Sequence, residues 1–580
     1  NGVILITTKR GKEGKAKVSF TSTNSIVMPT KTVELANSYQ YATFYNKAQM
    51  YDGAESGVWS DYAIERFRTG DDPLRFPSTD WMDYIMKKST FQTQNNVSIT
   101  GGTNKVRYYV SAGFMTQGGL FKEYDQGYHN DFRYKRFNYR ANVDMNVTKT
   151  TKVTLSLSGK LDDSSRPNSG GQTYNTIFRN IYYSTPFSSP GIVDGKVIAL
   201  SNKSNGWNDD EQLAFVGGNG LTSYYGTGAK YISSNSFVAD VSLDQNLDFI
   251  TKGLTFKLKG AYNSWYSVTK ELTAEMPTYT PKLKEDGTIG YSKSTEPGPQ
   301  SWSEGSPSPG RNWYFEASFN WQRDFGLHHL SALALYNQRK EYYPSSYSSI
   351  PHGLVGVAAR VTYDWNTRYL AEFNMGYNGS ENFPENKRFG FFPAASLGWI
   401  LSEEPFWKKV KPVVSYMKLR ATWGLVGNDK PATGGRFLYT PDSFSSPISN
   451  NPNRGGGYAY PFGGITGNNV NGIIESAKHN QNVTWEKSLK QNYGVDIYFL
   501  NDRFRTTFDY YYEKRSDILL SAGIYPSILG FTPPVGNAGK VNSWGYELTT
   551  RWQDKIGPDF RYWVGANLSY NQNEVIERME

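Results

Sequence analysis

RYLAEFNMGYNGSENFPENKRFGFFPAASLGW, residues Arg368 to Trp399, is the stretch on which the reading of this chain turns. Its first half alternates. Tyr369, Ala371, Phe373, Met375 and Tyr377 fall on one face, and Arg368, Glu372, Asn374 and Asn378 on the other, the period of a strand with one apolar face. Ser380 to Arg388 is a polar loop, after which Phe389, Phe391, Pro393, Ala395, Leu397 and Trp399 share a face, so the segment reads as a hairpin. Its apolar side is aromatic at both ends and small or aliphatic between them, over the roughly 9 to 11 residues that a tilted strand needs to cross a bilayer. A hairpin of a soluble β-sandwich shows the same face, so the rest of the chain has to separate the two.

The same partition recurs. Tyr108, Val110, Ala112 and Phe114 oppose Arg107, Tyr109 and Ser111; Tyr139, Ala141, Val143, Met145 and Val147 oppose Asn138, Arg140, Asn142, Asp144 and Asn146. Leu254, Phe256, Leu258 and Tyr262 oppose Thr255, Lys257 and Lys259, and Phe315, Ala317, Phe319 and Trp321 oppose Glu316, Ser318, Asn320 and Gln322. Phe504, Thr506, Phe508, Tyr510 and Tyr512 oppose Arg503, Arg505, Asp509 and Glu513. One face carries no charge, as a lipid-facing band requires, because Lys or Arg at mid-bilayer costs ~2–4 kcal/mol.

Connection lengths alternate as well. Short turns at Thr148–Lys152, Asp248–Gly253, Arg323–Gly326, Asn366–Thr367, Asn501–Asp502 and Asp554–Asp559 separate long loops at Asp162–Ser236, Ser267–Asn312, Gln338–Val355, Asn428–Lys487 and Lys514–Ser543. Short periplasmic turns and long extracellular loops mark an outer-membrane barrel. Only the connection Ser402–Tyr416, containing EEPFWKKVKPVVSY, is longer than its side requires. The expectation is an all-β, transmembrane antiparallel β-barrel of about 17 strands, each about ten residues long. Helix is expected only between Met28 and Phe91, in SYQYATFYNKAQMYD and SDYAIERFRTG.

Composition agrees with this. The 580 residues exceed what one soluble core organises, yet no linker divides the chain. Mean hydropathy is −0.60 although 16% of residues are aromatic, because a barrel hides its apolar residues in alternate positions. No apolar run is long enough for a membrane helix. Absence of cysteine excludes disulfide scaffolds and thiolate metal sites. The net charge of +9 is spread among 62 basic and 53 acidic residues without a basic run, which argues against a nucleic-acid partner.

Several stretches resemble the SusC/RagA-type TonB-dependent outer-membrane transporters of Bacteroidetes. NGVILITTKRG (Asn1–Gly11) is similar to the end of that family's plug domain, and YNGSENF with RFGFFPAASLGWILSEE (Tyr377–Glu404) to its barrel signature. KLRATWGLVGND (Lys418–Asp429), NVTWEKSLKQNYGVD (Asn482–Asp496), SDIL (Ser516–Leu519) and NAGKVNSWGYEL (Asn537–Leu548) continue the likeness. The resemblance implies residues 1–11 as the end of a plug and 12–580 as part of a barrel of about 22 strands, about five of them beyond Glu580. It also implies a signal peptide, the rest of the plug and a TonB-contacting segment before Asn1. The implied partners are a SusD-like surface lipoprotein, the TonB complex, outer-membrane lipids, and an oligosaccharide or, as the alternative, an oligopeptide ligand.

No catalytic or cofactor constellation is present. His129, His328, His329, His352 and His479 lack metal-ligand spacing, and Gly455–Gly457 lack the context of a phosphate loop. Asp209, Asp210 and Glu211 form an acidic cluster without the spacing of a calcium loop. Loop aromatics suit the flat C–H faces of sugars: Trp207, Tyr224, Tyr225, Trp302, Tyr458 and Tyr460, with Tyr342, Tyr343 and Tyr347 nearby in type. The same residues also serve to pack loops or to hold a protein lid. Trp399, Trp423 and Trp552 stand where a barrel has its interfacial aromatic girdle. Two other readings are a surface adhesin of soluble β domains and a glycoside hydrolase. The hydrolase needs two carboxylates about 5–9.5 Å apart, and no pair is nominated.

Overall fold

The computed structural model describes residues 7–124, 126–168, 173–199, 219–221, 224–293, 296, 298–344, 349–430, 436–440, 443–445, 459–461, 469–471, 474–521 and 534–578. One sheet contains 18 strands. The short strand Ser301–Glu304 is one of them, which leaves 17 long strands among the described residues. These run from 12 residues (Val106–Gln117) to 21 (Gly536–Ile556), longer than the expected ten. The surplus was not legible because alternation is enforced only where one face meets lipid; above that band outward positions such as Gln338 and Lys340 become polar.

Registers confirm the partition of faces. Tyr369 lies opposite Trp399, Phe373 opposite Ala395 and Tyr377 opposite Phe391. Ala395 in turn faces Trp423, and Leu397 faces Ala421. This side is left uncovered, with Phe373 at 49% and Leu397 at 57% exposure. Large apolar side chains left open along strand after strand are what a lipid-facing wall presents and what a soluble sheet would bury.

The turns are tight. Asn366 and Thr367 both adopt positive φ (51° and 56°), the two-residue geometry that matches strand twist. At Gly253 a Cβ would stand 1.8 Å from the Gln322 carbonyl oxygen, so only glycine permits that approach. The long connection Ser402–Tyr416 folds into two short 3-10 turns, Leu401–Glu403 and Pro405–Lys409.

The chain divides into two compact units, Asn1–Asp144 with Leu155–Ala239 and Asn263–Pro309, and Met145–Thr154 with Asp240–Tyr262 and Gly310–Glu580. In the first, the expected helices occur at Ser38–Tyr51 and Asp61–Thr69, followed by Trp81–Ile85. Asn37 forms a capping box with Gln40, Ser60 and Asp80 cap the other two, and Gly70 ends the second with φ +65°. A further helix, Thr173–Tyr183, was not expected. It falls inside the stretch Asp162–Ser236 expected as a long loop, because its β-branched and aromatic residues are weak helix formers and only the burial of Ile177 and Ile181, four apart, reveals the helical face. Four short strands, Ile192–Val193, Lys196–Ile198, Thr278–Leu283 and Ile289–Lys293, make a separate small sheet in the same unit.

Candidate functional site

The inner face of the wall is polar. In the first unit the segment Thr8–Gly11 runs against it: Asn142 donates to the Lys9 carbonyl (2.7 Å) and to Thr8 Oγ1 (3.3 Å), and Arg10 reaches Asp144 at 3.7 Å. Gly11 lies so close that a Cβ would stand 2.2 Å from the Tyr108 amide nitrogen. Asn142 and Asp144 oppose Ala141 and Val143, so this contact is on the side away from lipid.

In the second unit Arg420 joins three strands. It donates twice to Asp509, at 2.7 Å each, and through Nε to Asp496 at 3.2 Å. Paired donation to one carboxylate fixes the guanidinium plane. Asn374 donates to Glu372 (2.6 Å) and Tyr314 to Glu316 (2.6 Å) on the same inward parity. Such a surface suits a water-filled passage for a polar solute.

The loops above the first unit are packed rather than open. Trp81, Ile85, Phe121, Ile177, Leu221 and Tyr224 belong to one buried cluster, and Trp59, Phe67, Phe76 and Phe187 to another. Tyr224 is fully buried; its ring stacks on Phe121 with centroids 5.6 Å apart, and its hydroxyl donates to the Lys122 carbonyl. Burial pushes that hydroxyl above its ordinary pKa, so it acts as a neutral donor. Tyr225 packs edge-on against Tyr124. Both rings hold loops together, the packing role that loop aromatics also serve, and neither offers a free face to a ligand.

Trp302 is exposed and stacks on Tyr231 at 5.9 Å. It lies opposite Leu272, which by alternation shares the face of Tyr266, the continuation of the apolar face of strand Leu254–Thr273. The ring is therefore on the outward side of its strand, with Tyr231 against one face. Tyr460 lies in the short strand Ala459–Pro461. Trp207 and Tyr458 lie outside the described residues, as do Tyr347 and the acidic cluster Asp209, Asp210 and Glu211. Tyr342 receives the Arg311 guanidinium over its ring at 4.0 Å, while Tyr343 is exposed. No group of three metal-ligating side chains occurs among the described residues.

What sequence reasoning missed is the loop rim of the second unit, where the motifs that carry the family resemblance meet. Phe383, Val483, Trp485 and Leu519 form one buried cluster. Ser380 Oγ donates to Asp429 (2.7 Å), Asn382 to the Asp429 carbonyl (3.0 Å) and Trp485 Nε1 to the Arg388 carbonyl (3.2 Å). Glu486 accepts from the Leu519 amide at 2.9 Å, and Asn537 donates to the carbonyls of Thr484 (2.8 Å) and Asp517 (2.7 Å). Beside this core Glu381 accepts from the Gly353 amide (3.1 Å), meets His352 Nδ1 at 2.9 Å, and pairs with Arg436. Burial opposes ionisation of Glu381, but hydrogen bonds from His352, Arg436 and Gly353 outweigh it and hold its pKa below the usual glutamate range. Its signal in the sequence was a run of charged loop residues, which alone names no partners.

A wall with an uncovered apolar face, a polar inner face, short turns on one side and packed loops on the other defines an outer-membrane β-barrel. The family model described as "TonB dependent receptor-like, beta-barrel" matches residues 182–578, and the chain belongs to that family of outer-membrane proteins. It is 25% identical over its whole length to TonB-dependent receptor P39 of Formosa agariphila, covering 51% of that protein. It is also 25% identical to TonB-dependent receptor SusC of Bacteroides thetaiotaomicron, over 99% of this chain and 54% of the relative. The chain thus spans about half the length of these curated relatives. Among solved structures it matches the RagAB peptide transporter with a TM-score of 0.70 at 16% identity, over 98% of this chain and 62% of that one, a likeness of fold.

Proposed function

We propose that this chain forms most of the wall of an energy-driven importer that carries oligosaccharides across the outer membrane. The observation that carries the reading is the charged and amide-lined inner face, held by pairs such as Arg420 with Asp496 and Asp509, behind a wall whose other face is apolar. Ligand is captured outside, between the long loops and a SusD-like surface lipoprotein. TonB then transmits energy to a plug, of which residues 1–11 are the end; the lodging of Lys9 and Arg10 against Asn142 and Asp144 supports that placement. The similarity to SusC favours a glycan. A second reading, oligopeptide import, draws on the fold match to a structure named as a peptide transporter. Neither reading assigns catalysis to the chain.

The test is native mass spectrometry of the full-length protein extracted in detergent together with any lipoprotein that accompanies it. Hexose-containing oligomers support the first reading and peptides the second. A protein that stays in solution without detergent overturns the barrel assignment and both with it.

A further inference from the structure

The connection 401–413 is too long for a turn on its side and has no role in the import cycle described above. Glu404, at its start, accepts from Trp399 Nε1 at 3.1 Å and from the Tyr369 hydroxyl, and lies 3.7 Å from Arg368. Trp399 and Tyr369 are outward residues of the wall, so the connection is tied to the lipid side. Trp407 Nε1 then donates to the Val414 carbonyl (3.0 Å), which curls the second 3-10 turn back onto the next strand.

The side chains that this arrangement leaves uncovered are of two kinds. Phe406, Val410 and Val413 are exposed apolar groups, at 63%, 41% and 58%. Lys408, Lys409 and Lys411 are exposed among them; Lys411 meets Glu403 at 3.4 Å, and Lys408 and Lys409 have no carboxylate partner among the described residues. Apolar groups and cations interspersed along one short segment suit the level where acyl chains give way to phosphates.

Immediately above this segment the wall carries a depression. One row across four strands reads Tyr363, Ala371, Leu397, Ala421, and the row nearer the connection reads Trp365, Tyr369, Trp399, Leu419. Two alanines set among large rings make a groove of 460 Å³, lined almost wholly by apolar atoms. Trp365, Tyr369 and Trp399 stack in succession, 5.6 and 6.2 Å apart, along its periplasmic edge.

We infer that this groove and the connection beneath it form a binding site for one anionic phospholipid of the inner leaflet. An acyl chain fills the depression over Ala371 and Ala421, the aromatic ladder marks the glycerol level, and Lys408, Lys409 and Lys411 receive the phosphate. Two observations select this occupant: the groove is continuous with the lipid-facing band, and the cations sit at the edge where headgroups begin. The inference rests on the membrane placement of the barrel and is independent of what is imported.

The experiment is native mass spectrometry of the full-length protein released from nanodiscs containing phosphatidylglycerol or phosphatidylcholine. Wild type is expected to retain phosphatidylglycerol over phosphatidylcholine. The exposed triple substitution Lys408→Gln, Lys409→Gln, Lys411→Gln lowers that retention by about twenty-five-fold or more, since each basic residue near an anionic surface contributes about fivefold and two of the three, Lys408 and Lys409, have no carboxylate partner among the described residues. The groove-filling pair Ala371→Leu and Ala421→Leu, which stays apolar on a lipid-facing surface, lowers retention of both lipids. Equal retention of the two lipids by wild type, retention unchanged in either variant, or a dimer in which a second copy covers the groove overturns the site. Loss of the barrel reading would appear separately, as a protein that never enters the nanodisc.

Discussion

Replacing Glu381 by glutamine removes one charge from the loop rim and keeps the shape of the side chain. The native carboxylate meets three donors: His352 at 2.9 Å, the Gly353 amide at 3.1 Å, and the Arg436 guanidinium, whose side chain is 8% exposed. Arg436 also donates to the Ile350 carbonyl at 2.9 Å, so this group ties together three connections. Hydrogen bonds to charged groups are worth ~1.5–3 kcal/mol against ~0.5–1.5 for neutral ones. Glu381 is about a quarter exposed, which reduces the gain, and the expected cost is ~2–3 kcal/mol of local opening. At 1.36 kcal/mol per factor of ten this is about 30- to 150-fold faster opening. Amide exchange at Gly353, followed by mass spectrometry in detergent micelles, reads it directly because that amide donates to Glu381. The double substitution Glu381→Gln with Arg436→Met should recover part of the protection, since no buried cation is then left over. The pH dependence has a definite sign. The folded pKa of Glu381 is lowered, so its contribution is present above the ordinary glutamate value of about 4.3 and is lost as pH falls through the folded value. Wild-type protection, corrected for intrinsic exchange, should hold down to about pH 5 and then decline, while the glutamine variant shows no such step. Protection at Gly353 unchanged within about twofold between the two proteins at pH 7 would refute the reasoning.

Phe373→Lys places a cation on the lipid face and should destabilise the refolded full-length protein in vesicles by ~2–4 kcal/mol in urea titrations, whereas Asn374→Lys, facing inward beside Glu372, should cost under ~1 kcal/mol. Trp485→Ala empties the rim core around Phe383 and Leu519 at ~3–5 kcal/mol, seen as proteolytic cleavage in loops 429–485 and 521–535 while the strands stay protected. Arg420→Met leaves Asp496 and Asp509 facing each other without their cation and should cost ~2–4 kcal/mol in the same urea titrations; adding Asp509→Asn should recover a large part of it, and no recovery would mean that Arg420 acts through packing instead.

The wall was legible in the sequence because its determinant is one-dimensional. Side chains on a strand alternate with a period of two, so lipid on one side and water on the other write themselves directly into residues such as Tyr369 to Tyr377 or Tyr139 to Val147. Turn and loop lengths gave the orientation for the same reason. The motif stretches gave the family, and the structure shows that they do so as scaffold, with Phe383, Trp485, Leu519 and Asn537 converging on one rim. Whether a loop aromatic faces a ligand depends on what packs around it, and no local pattern records that. Tyr224 and Tyr225 look like sugar platforms until Phe121 and Tyr124 are seen against them. The Glu381–His352–Arg436 group and the alanine groove beside Trp399 likewise join residues far apart in the chain. The sequence by itself therefore determined the sheet, its sidedness and its membrane, all fixed by local periodicity. Only the tertiary structure decided which polar groups pair, which rings are buried and where the wall is indented, because these depend on cross-strand register and loop packing.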